Sequence, residues 1–430
     1  MKNSSFSKFT LPNGLKVITQ SFPFVDSITV YLAVGAGPRF ETEETTGLAH
    51  FLEHMLFEGT DSFPSSKELA AYIESVGGRS GAFTEKELVL FYVKIPKEYV
   101  DIGIHYLSEI LFRSKLEDNA IKKEKNIVLE ELKRKLDNPE VEIWDRWFEW
   151  LWGKNQSLGK STLGDIESIK NITREKLKAY LATYYVPPNM VLSIVGNISV
   201  EEVKKTVDKY FKNIKGKEVS KPLKLKFLPK SFSLKIIQKG LEQNQMIVGF
   251  VTGVSFLHQD RFPIQILADV LSRGVNSRLF HRLVYELGVV YSTYTGNYFL
   301  SDTGLFYIYC GVSSKYIKKV TKEIFREINL LKTTKMTDKE LSRTKIKTKA
   351  DVVFSFESPD NLANFYATQE LVEKRILSMK DLLHKIDAVT TEDVQRVARK
   401  YFTLSNLSFI IRGSFKQSGK TLEALIKNNI

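Results

Sequence analysis

The chain has a single cysteine, Cys310, in 430 residues, so no intrachain disulfide can hold it together. A long chain without cross-links suits a reducing compartment, and the cytoplasm is the simplest expectation. Long apolar runs are also missing. No stretch approaches the ~20 residues that a membrane-spanning helix needs. The first residues, MKNSSFSKFTLPNGLKV, lack the apolar core of a secretory leader. The longest apolar segments, ITVYLAVGAG and LVLFYVKI, are short and β-branched and read as buried strands. Histidine is scarce as well, with six residues at positions 50, 54, 105, 258, 281 and 384.

What is present is an excess of positive charge, 63 Lys and Arg against 50 Asp and Glu, a net +13. Such a balance is compatible with nucleic-acid binding. The lysines, however, are spread along the chain among glutamates, with no nucleic-acid motif beside them. A solvated lysine-rich surface is therefore expected, with neither a nucleic acid nor a membrane as partner. Apolar content of 43% and charged content of 26% are those of a globular protein. The length suffices for two or three domains.

The chain repeats itself. In ITREKLKAYLATYYVPPNMVLSIVGNIS and VTTEDVQRVARKYFTLSNLSFIIRGSF, Thr173, Glu175, Tyr184, Asn189 and Gly196 match Thr390, Glu392, Tyr401, Asn406 and Gly413. Each pair is 217 apart (390 − 173) without a gap. Both stretches read as a helix capped by Thr, an Asn turn and an apolar strand ending at Gly. NGLKVITQ…DSITVYLAVGAG and FSLKIIQK…NQMIVGFVTGV correspond more loosely as strand, turn and strand. Two copies of one α+β unit are expected. Lys212–Ser231, lysine-rich and without helical period, reads as the linker between them.

The stretch GLAHFLEHMLFEG places His50 and His54 four residues apart, with Glu53 between them. A helix is expected from about Thr46 to Phe57, with Thr45 or Thr46 as its cap. Leu48, Phe51, Leu52 and Met55 then share one face, and His50, Glu53, His54 and Phe57 the other. Residues i and i+4 stand about 6 Å apart, so two imidazoles can meet one ion while the glutamate reaches a water on it. Six histidines in 430 residues give roughly 0.08 such pairs by chance. Two buried, hydrogen-bonded core histidines are the plainer account. The second half argues against it, because alignment of Gly59 with Gly274 puts Gln265, Ala268 and Asp269 where His50, Glu53 and His54 stand.

Two histidines are short of a catalytic metal set, and a carboxylate is the natural third ligand. LEDNAIKKEKNIVLEELKRKLDNPE reads as a helix broken at Asn138-Pro139. Glu124, Val128 and Glu131 share one face, and Glu130 lies about 100° away. From spacing alone, Glu124 and Glu131 are both candidates.

The HFLEH pentapeptide followed by EKNIVLEE resembles the inverted zinc motif, HxxEH, of the M16 metallopeptidases (inverzincins). That family includes pitrilysin, insulin-degrading enzyme and the mitochondrial processing peptidases. GLAHFLEHMLFEGT, SVGG, PNMVLSIVGNI and NSRLFHRLVYELGVVYS are similar to it too. The resemblance covers nearly the whole chain, at the length of the short, two-domain members. It implies an α+β fold of two homologous domains, each a mainly antiparallel β-sheet with helices packed on it, of the M16/LuxS-like metallohydrolase type. The expected division is a zinc-binding domain at 1–211, the linker at 212–231, a domain without the zinc motif at 232–415 and a tail at 416–430.

The resemblance also assigns roles. The family's third ligand lies 77 residues after the second histidine, which is Glu131 (54 + 77). His50, His54 and Glu131 are thus expected to bind one Zn2+ per chain, with Glu124 orienting a ligand imidazole and Glu53 as the general base. Substrate is expected to add as a β-strand at GGRSGAFTEKE, through Gly81, Ala82 and Phe83. Gly81 stands where the family usually has Asn. Arg282 and Tyr291 resemble the family's Arg/Tyr pair that meets the scissile carbonyl. Val289 holds that position in another branch. Because the long members have four such units and this chain two, the expectation is a homodimeric zinc endopeptidase acting on short or unfolded peptides in a chamber between chains, a heterodimer with a related subunit being the variant. A non-catalytic partner subunit or scaffold is the alternative.

Overall fold

The computed structural model describes residues 6–219, 225, 231–240, 243–415 and 418–430. The expected linker therefore lies outside the described residues at 220–224 and 226–230, and the expected tail at 416–417. Two compact units are present. One comprises Met1–Lys135, Lys154–Leu225 and Phe354–Ile376, and the other Leu136–Gly153, Lys226–Val353 and Leu377–Ile430.

The first unit is built on six strands: β1 Ser7–Thr10, β2 Lys16–Ser21, β3 Ser27–Val34, β4 Arg79–Thr84, β5 Val89–Pro96 and β6 Met190–Gly196. Their order is β1-β2-β6-β3-β5-β4. Every pairing is antiparallel except β2 with β6. The second unit has β7 Ser233–Gln238, β8 Gln243–Val251, β9 Val290–Phe299, β10 Gly304–Ser313 and β11 Leu407–Gly413. Its order, β7-β11-β8-β10-β9, repeats that of β2 to β6, again with one parallel pair, β7 with β11. The expected α+β class and mainly antiparallel sheets are therefore present in both units.

The repeat signals have physical partners. Thr173 and Thr390 cap their helices by accepting from the backbone N–H of Lys176 and Asp393. The side chains of Asn189 and Asn406 donate to the carbonyls of Tyr184 and Tyr401, closing the turn into the last strand. Gly196 and Gly413 end those strands at φ of +155° and +146°, where a Cβ would collide with Ser27 and Asn244.

Each unit also takes one helix from the opposite half of the sequence, a departure from a sequential division. Helix Pro359–Val372 covers the face of the first sheet, with Leu362, Ala363, Tyr366, Ala367 and Leu371 packed on Ile18, Ala33, Leu90, Val191 and Val195. Glu370 on that helix pairs with Lys8 and Lys16, and Asp360 with Lys94. In the second unit the corresponding cover is helix Pro139–Trp152. Its Trp147, fully buried, donates its indole N–H to Ser408 at 2.9 Å. Gly249 beneath it has no room for a Cβ, and Glu142 pairs with Arg412. Helix Gly419–Lys427 buries Leu422 and Ile426 in the second core.

Helices α1 Leu48–Met55, α2 Ser66–Glu74, α3 Val100–Phe112 and α4 Asp118–Asp137 complete what the site needs. Leu48, Phe51, Leu52 and Met55 of α1 are buried, as the helical period predicts. The start of α1 is not as expected. Neither Thr45 nor Thr46 caps it. Gly47 does, at φ +82° and without a side-chain bond. The helix's unpaired amides are taken by Glu41, whose two carboxylate oxygens accept from Gly47 N–H and Ala49 N–H, both at 2.8 Å. A carboxylate suits the positive end of a helix dipole. Burial pushes the Glu41 carboxyl up to about 7, against those two hydrogen bonds and the nearby Lys160 and Lys86.

Two predictions follow from this packing. Trp147→Ala removes the main apolar anchor of its helix and should cost about 3–5 kcal/mol in denaturant unfolding; an unchanged midpoint would contradict the anchor role. The second concerns Glu41. Its folded pKa lies above the ordinary 4.5, so the folded chain keeps a proton that the unfolded chain releases. Its contribution to stability accordingly falls as pH rises from 4.5 to 7. Glu41→Gln should lower stability and flatten that slope; unfolding curves at pH 5 and pH 7.5 compare the two chains.

Candidate metal centre

Helix α1 and helix α4 supply the polar cluster of the first unit. His50, Glu53 and His54 project from the face of α1 opposite its apolar residues. The α4 helix ends as expected at Asn138, which caps the following helix through its side chain. Val128 and Leu132 bury one face of α4, which carries Glu124 and Glu131 toward α1. Glu130, one position off, pairs with Lys133 at the surface.

His50, His54 and Glu131 come together, each offering one ligand atom within 4.8 Å of the others. His50 Nε2 lies 3.7 Å from Glu131 Oε1, and His54 Nε2 lies 3.6 Å from Glu131 Oε2. Tetrahedral zinc with bonds near 2.0–2.1 Å sets its ligand atoms roughly 3.4 Å apart, so each imidazole nitrogen lies near that spacing from a Glu131 oxygen, and the three donors, all within 4.8 Å, can close on one ion with small side-chain adjustments. Two imidazoles and one carboxylate also leave a tetrahedral centre one position short, the arrangement of a catalytic rather than a structural site.

The surroundings favour ligation. His54 Nδ1 lies 2.7 Å from Glu124 Oε1. With the proton on Nδ1, the lone pair of Nε2 faces Glu131. Burial disfavours charge on His54, but the hydrogen bond to Glu124 and the charges of Glu124, Glu131 and Glu53 outweigh it, and its pKa is raised. Among the described residues, His50 Nδ1 has no such partner. Burial first, then His54 and Lys135, drive its pKa down to about 3, so it is a neutral imidazole with a free electron pair at physiological pH. Glu131 thus groups with His50 and His54, and Glu124 meets the other nitrogen of His54.

Glu53 stands beside the cluster without entering it. Its Oε2 accepts from Thr84 Oγ1 at 2.5 Å. Burial raises its pKa, against the pull of Thr84 and His54 and with some help from Glu131. Thr84 belongs to β4, the outermost strand of the sheet. Alternation along β4 turns Ser80 and Thr84 toward the helices, where Ser80 meets Tyr106 of α3. Gly81 and Phe83 face the other side. Ala82, Gly81 and Phe83 thus lie on an edge whose outer row of backbone groups can pair with an added strand. Glu41 and Thr84 are the site-shaping residues the sequence reading passed over; the alternation of GGRSGAFT was the available signal for Thr84.

The second unit treats the same positions differently. The Gln265 side chain donates to Asp269 at 3.1 Å, Thr348 donates to Asp269 at 2.6 Å, and Arg273 pairs with Asp269 and Asp351. A guanidinium thus lies among those carboxylates. Arg282 and Tyr291 also belong to this unit. Arg282 is held by Glu286 at 2.6 Å and Glu323 at 2.9 Å, which raise its pKa. Tyr291 is 78% exposed on β9, whereas Val289 is packed away at 4%. Among the described residues, no helix is long and apolar enough to cross a membrane.

Residues 16–165 match the family described as Insulinase (Peptidase family M16), and residues 171–348 match Peptidase M16 inactive domain. The chain is 32% identical over 397 residues to an uncharacterized zinc protease of Bacillus subtilis, YmxG, covering 92% of this chain and 95% of that one. It is 30% identical over 405 residues to a probable mitochondrial-processing peptidase subunit beta of Arabidopsis thaliana, covering 91% of this chain and 75% of that one. A protease from Helicobacter pylori shares the fold, with a TM-score of 0.88 at 23% identity over 95% of this chain and 99% of that one. The matched inactive domain begins at residue 171 within the first unit, continues through most of the second unit's main segment and spans the Gln265–Asp269 substitution, while the other match holds His50, Glu53, His54 and Glu131. Relatives that align from end to end at this level of identity make the chain a member of the M16 family of metallopeptidases.

Proposed function

We propose that the chain is a zinc-dependent endopeptidase that hydrolyses short or unfolded peptides bound as an extra strand on β4. The observation that carries this reading is the convergence of His50, His54 and Glu131 within 4.8 Å, with Glu53 beside them and outside the ligand set. In this reading His50, His54 and Glu131 hold one Zn2+ per chain. When bound, the ion supplies a Lewis acid that lowers the pKa of water and polarises a peptide carbonyl.

The remaining steps fall to the chain's own residues. Glu124 keeps the His54 proton on Nδ1 and fixes the ring. Thr84 holds Glu53 Oε2, which leaves Oε1 to take a proton from the attacking water. Glu53 then delivers that proton to the amide nitrogen as the C–N bond breaks. Its raised pKa suits both halves of this transfer. Gly81, Ala82 and Phe83 align the peptide through backbone pairing. Arg282 and Tyr291 donate hydrogen bonds to the developing oxyanion and the substrate backbone. Because they belong to the unit without the zinc motif, we assign them to the active site of a second chain, in a homodimer enclosing a chamber for unfolded peptides. The lone, buried Cys310 is compatible with a reducing compartment, and we place the enzyme in the cytoplasm.

Peptide hydrolysis by wild type and Glu53→Gln, with zinc measured in both, tests the reading. The variant should keep its metal and lose about 10²–10⁴-fold in kcat; equal rates would overturn the proposal. Mixing Glu53→Gln chains with Arg282→Ala chains tests the trans arrangement. Each alone should be nearly inactive, and the mixture should recover roughly a quarter of wild-type activity by random pairing. A mixture as inactive as its components would rule out sharing between chains.

A further inference from the structure

Gly81 has an unusual neighbour. It pairs across the sheet with Tyr92 of β5, and a Cβ built on it would stand 2.7 Å from the Tyr92 hydroxyl oxygen, 2.8 Å from Cε1 and 2.9 Å from Cζ. The phenol therefore occupies the space of the side chain that residue 81 lacks. An asparagine at 81, the residue usual in the resembling family, has no room while Tyr92 stays where it is.

The second unit repeats this arrangement at the corresponding place. Gly296 of β9 pairs with Tyr307 of β10, and a Cβ on Gly296 would meet the Tyr307 hydroxyl and ring carbons. The offsets are equal, 296 − 81 = 215 and 307 − 92 = 215, and match the offset from His50 to Gln265. A ring laid over an edge-strand glycine is thus a device of the fold: it packs a position that otherwise weakens a strand.

The two rings differ in what else they touch. Tyr307 lies against Trp144 at 4.8 Å and 77°, and burial raises its pKa. Tyr92 is stacked on Tyr31 at 5.4 Å and 26°, with its hydroxyl over Gly81. That hydroxyl stands over the free edge of the sheet. A residue on an added strand directly opposite Gly81 would have its Cβ roughly 5 Å from the Cβ position of 81, which brings its polar groups within reach of the phenol.

We infer that Tyr92 is the positioning residue of the peptide-binding edge. Its ring holds Gly81 flat, and its hydroxyl hydrogen-bonds the strand that adds to β4, the task for which residue 81 has no side chain. This rests on the reading above that peptides add at β4. Gly81 and Tyr92 then form one unit of recognition.

The test compares a peptide substrate with wild type, Tyr92→Phe and Tyr307→Phe. Tyr92→Phe keeps the ring, so folding midpoint and kcat should stay as in wild type while KM rises about fivefold; Tyr307→Phe should leave KM alone. The same substitution on the Glu53→Gln background, read as peptide affinity by fluorescence anisotropy, should weaken binding by the same factor without turnover. Gly81→Asn should bind poorly, and Gly81→Asn with Tyr92→Ala should regain part of that affinity. Wild-type KM and affinity in Tyr92→Phe, or wild-type affinity in Gly81→Asn alone, would overturn the inference. Peptide binding that depends on Tyr92 in a wild-type chain without hydrolysis would support it and overturn only the catalytic reading.

Discussion

The contact between His54 Nδ1 and Glu124 Oε1, 2.7 Å long, joins α1 to α4 and turns Nε2 of His54 toward Glu131. Without it α1 would present two imidazoles with no fixed tautomer, and Glu131 would be one more carboxylate on a charged helix. Glu124 is nearly buried, and a buried carboxylate is costly unless a hydrogen-bonded partner meets it. The contact therefore draws the helices together as well as orienting the ring. Glu41 does the complementary work at the other end of α1 by taking two of its unpaired amides. One helix is thus held by carboxylates at both ends while its apolar face sits on the core.

The two halves show how the same scaffold carries and omits this chemistry. Strand order, threonine caps, asparagine turns and strand-ending glycines agree between the units. The polar positions diverge: Asp269 and Arg273 form an ion pair where His54 and its neighbours stand in the first unit. Such a pair satisfies itself, so the second unit has no electrostatic call for a metal there. The Gly–Tyr pair behaves oppositely, since both halves keep it. It belongs to the sheet first, and the units differ in what packs beside the ring, Tyr31 in the first and Trp144 in the second.

Much of this was legible in the sequence because it is local. Period and spacing put His50, Glu53 and His54 on the face opposite Leu48, Phe51, Leu52 and Met55, and Asn138-Pro139 marked the end of α4. The choice between Glu124 and Glu131 is not legible from spacing, because both share one helix face; only the resemblance assigns them different roles. The start of α1 was misjudged because threonine is a good cap in general, whereas the carboxylate that serves lies six residues before the amide it meets first. Helix exchange between the units was out of reach, since burial of Trp147 and of Leu362 depends on which sheet each helix meets. Tyr92 was hidden for a similar reason: only strand register reveals that it lies over Gly81.

The central claim is that α1 and α4 form one zinc site. Its most direct test is zinc content after purification without chelator, measured for wild type and for Glu131→Ala. The account predicts about one zinc per wild-type chain and a large loss in the variant, which lacks one of three protein ligands. A folded Glu131→Ala chain holding as much zinc, as tightly, as wild type would contradict it.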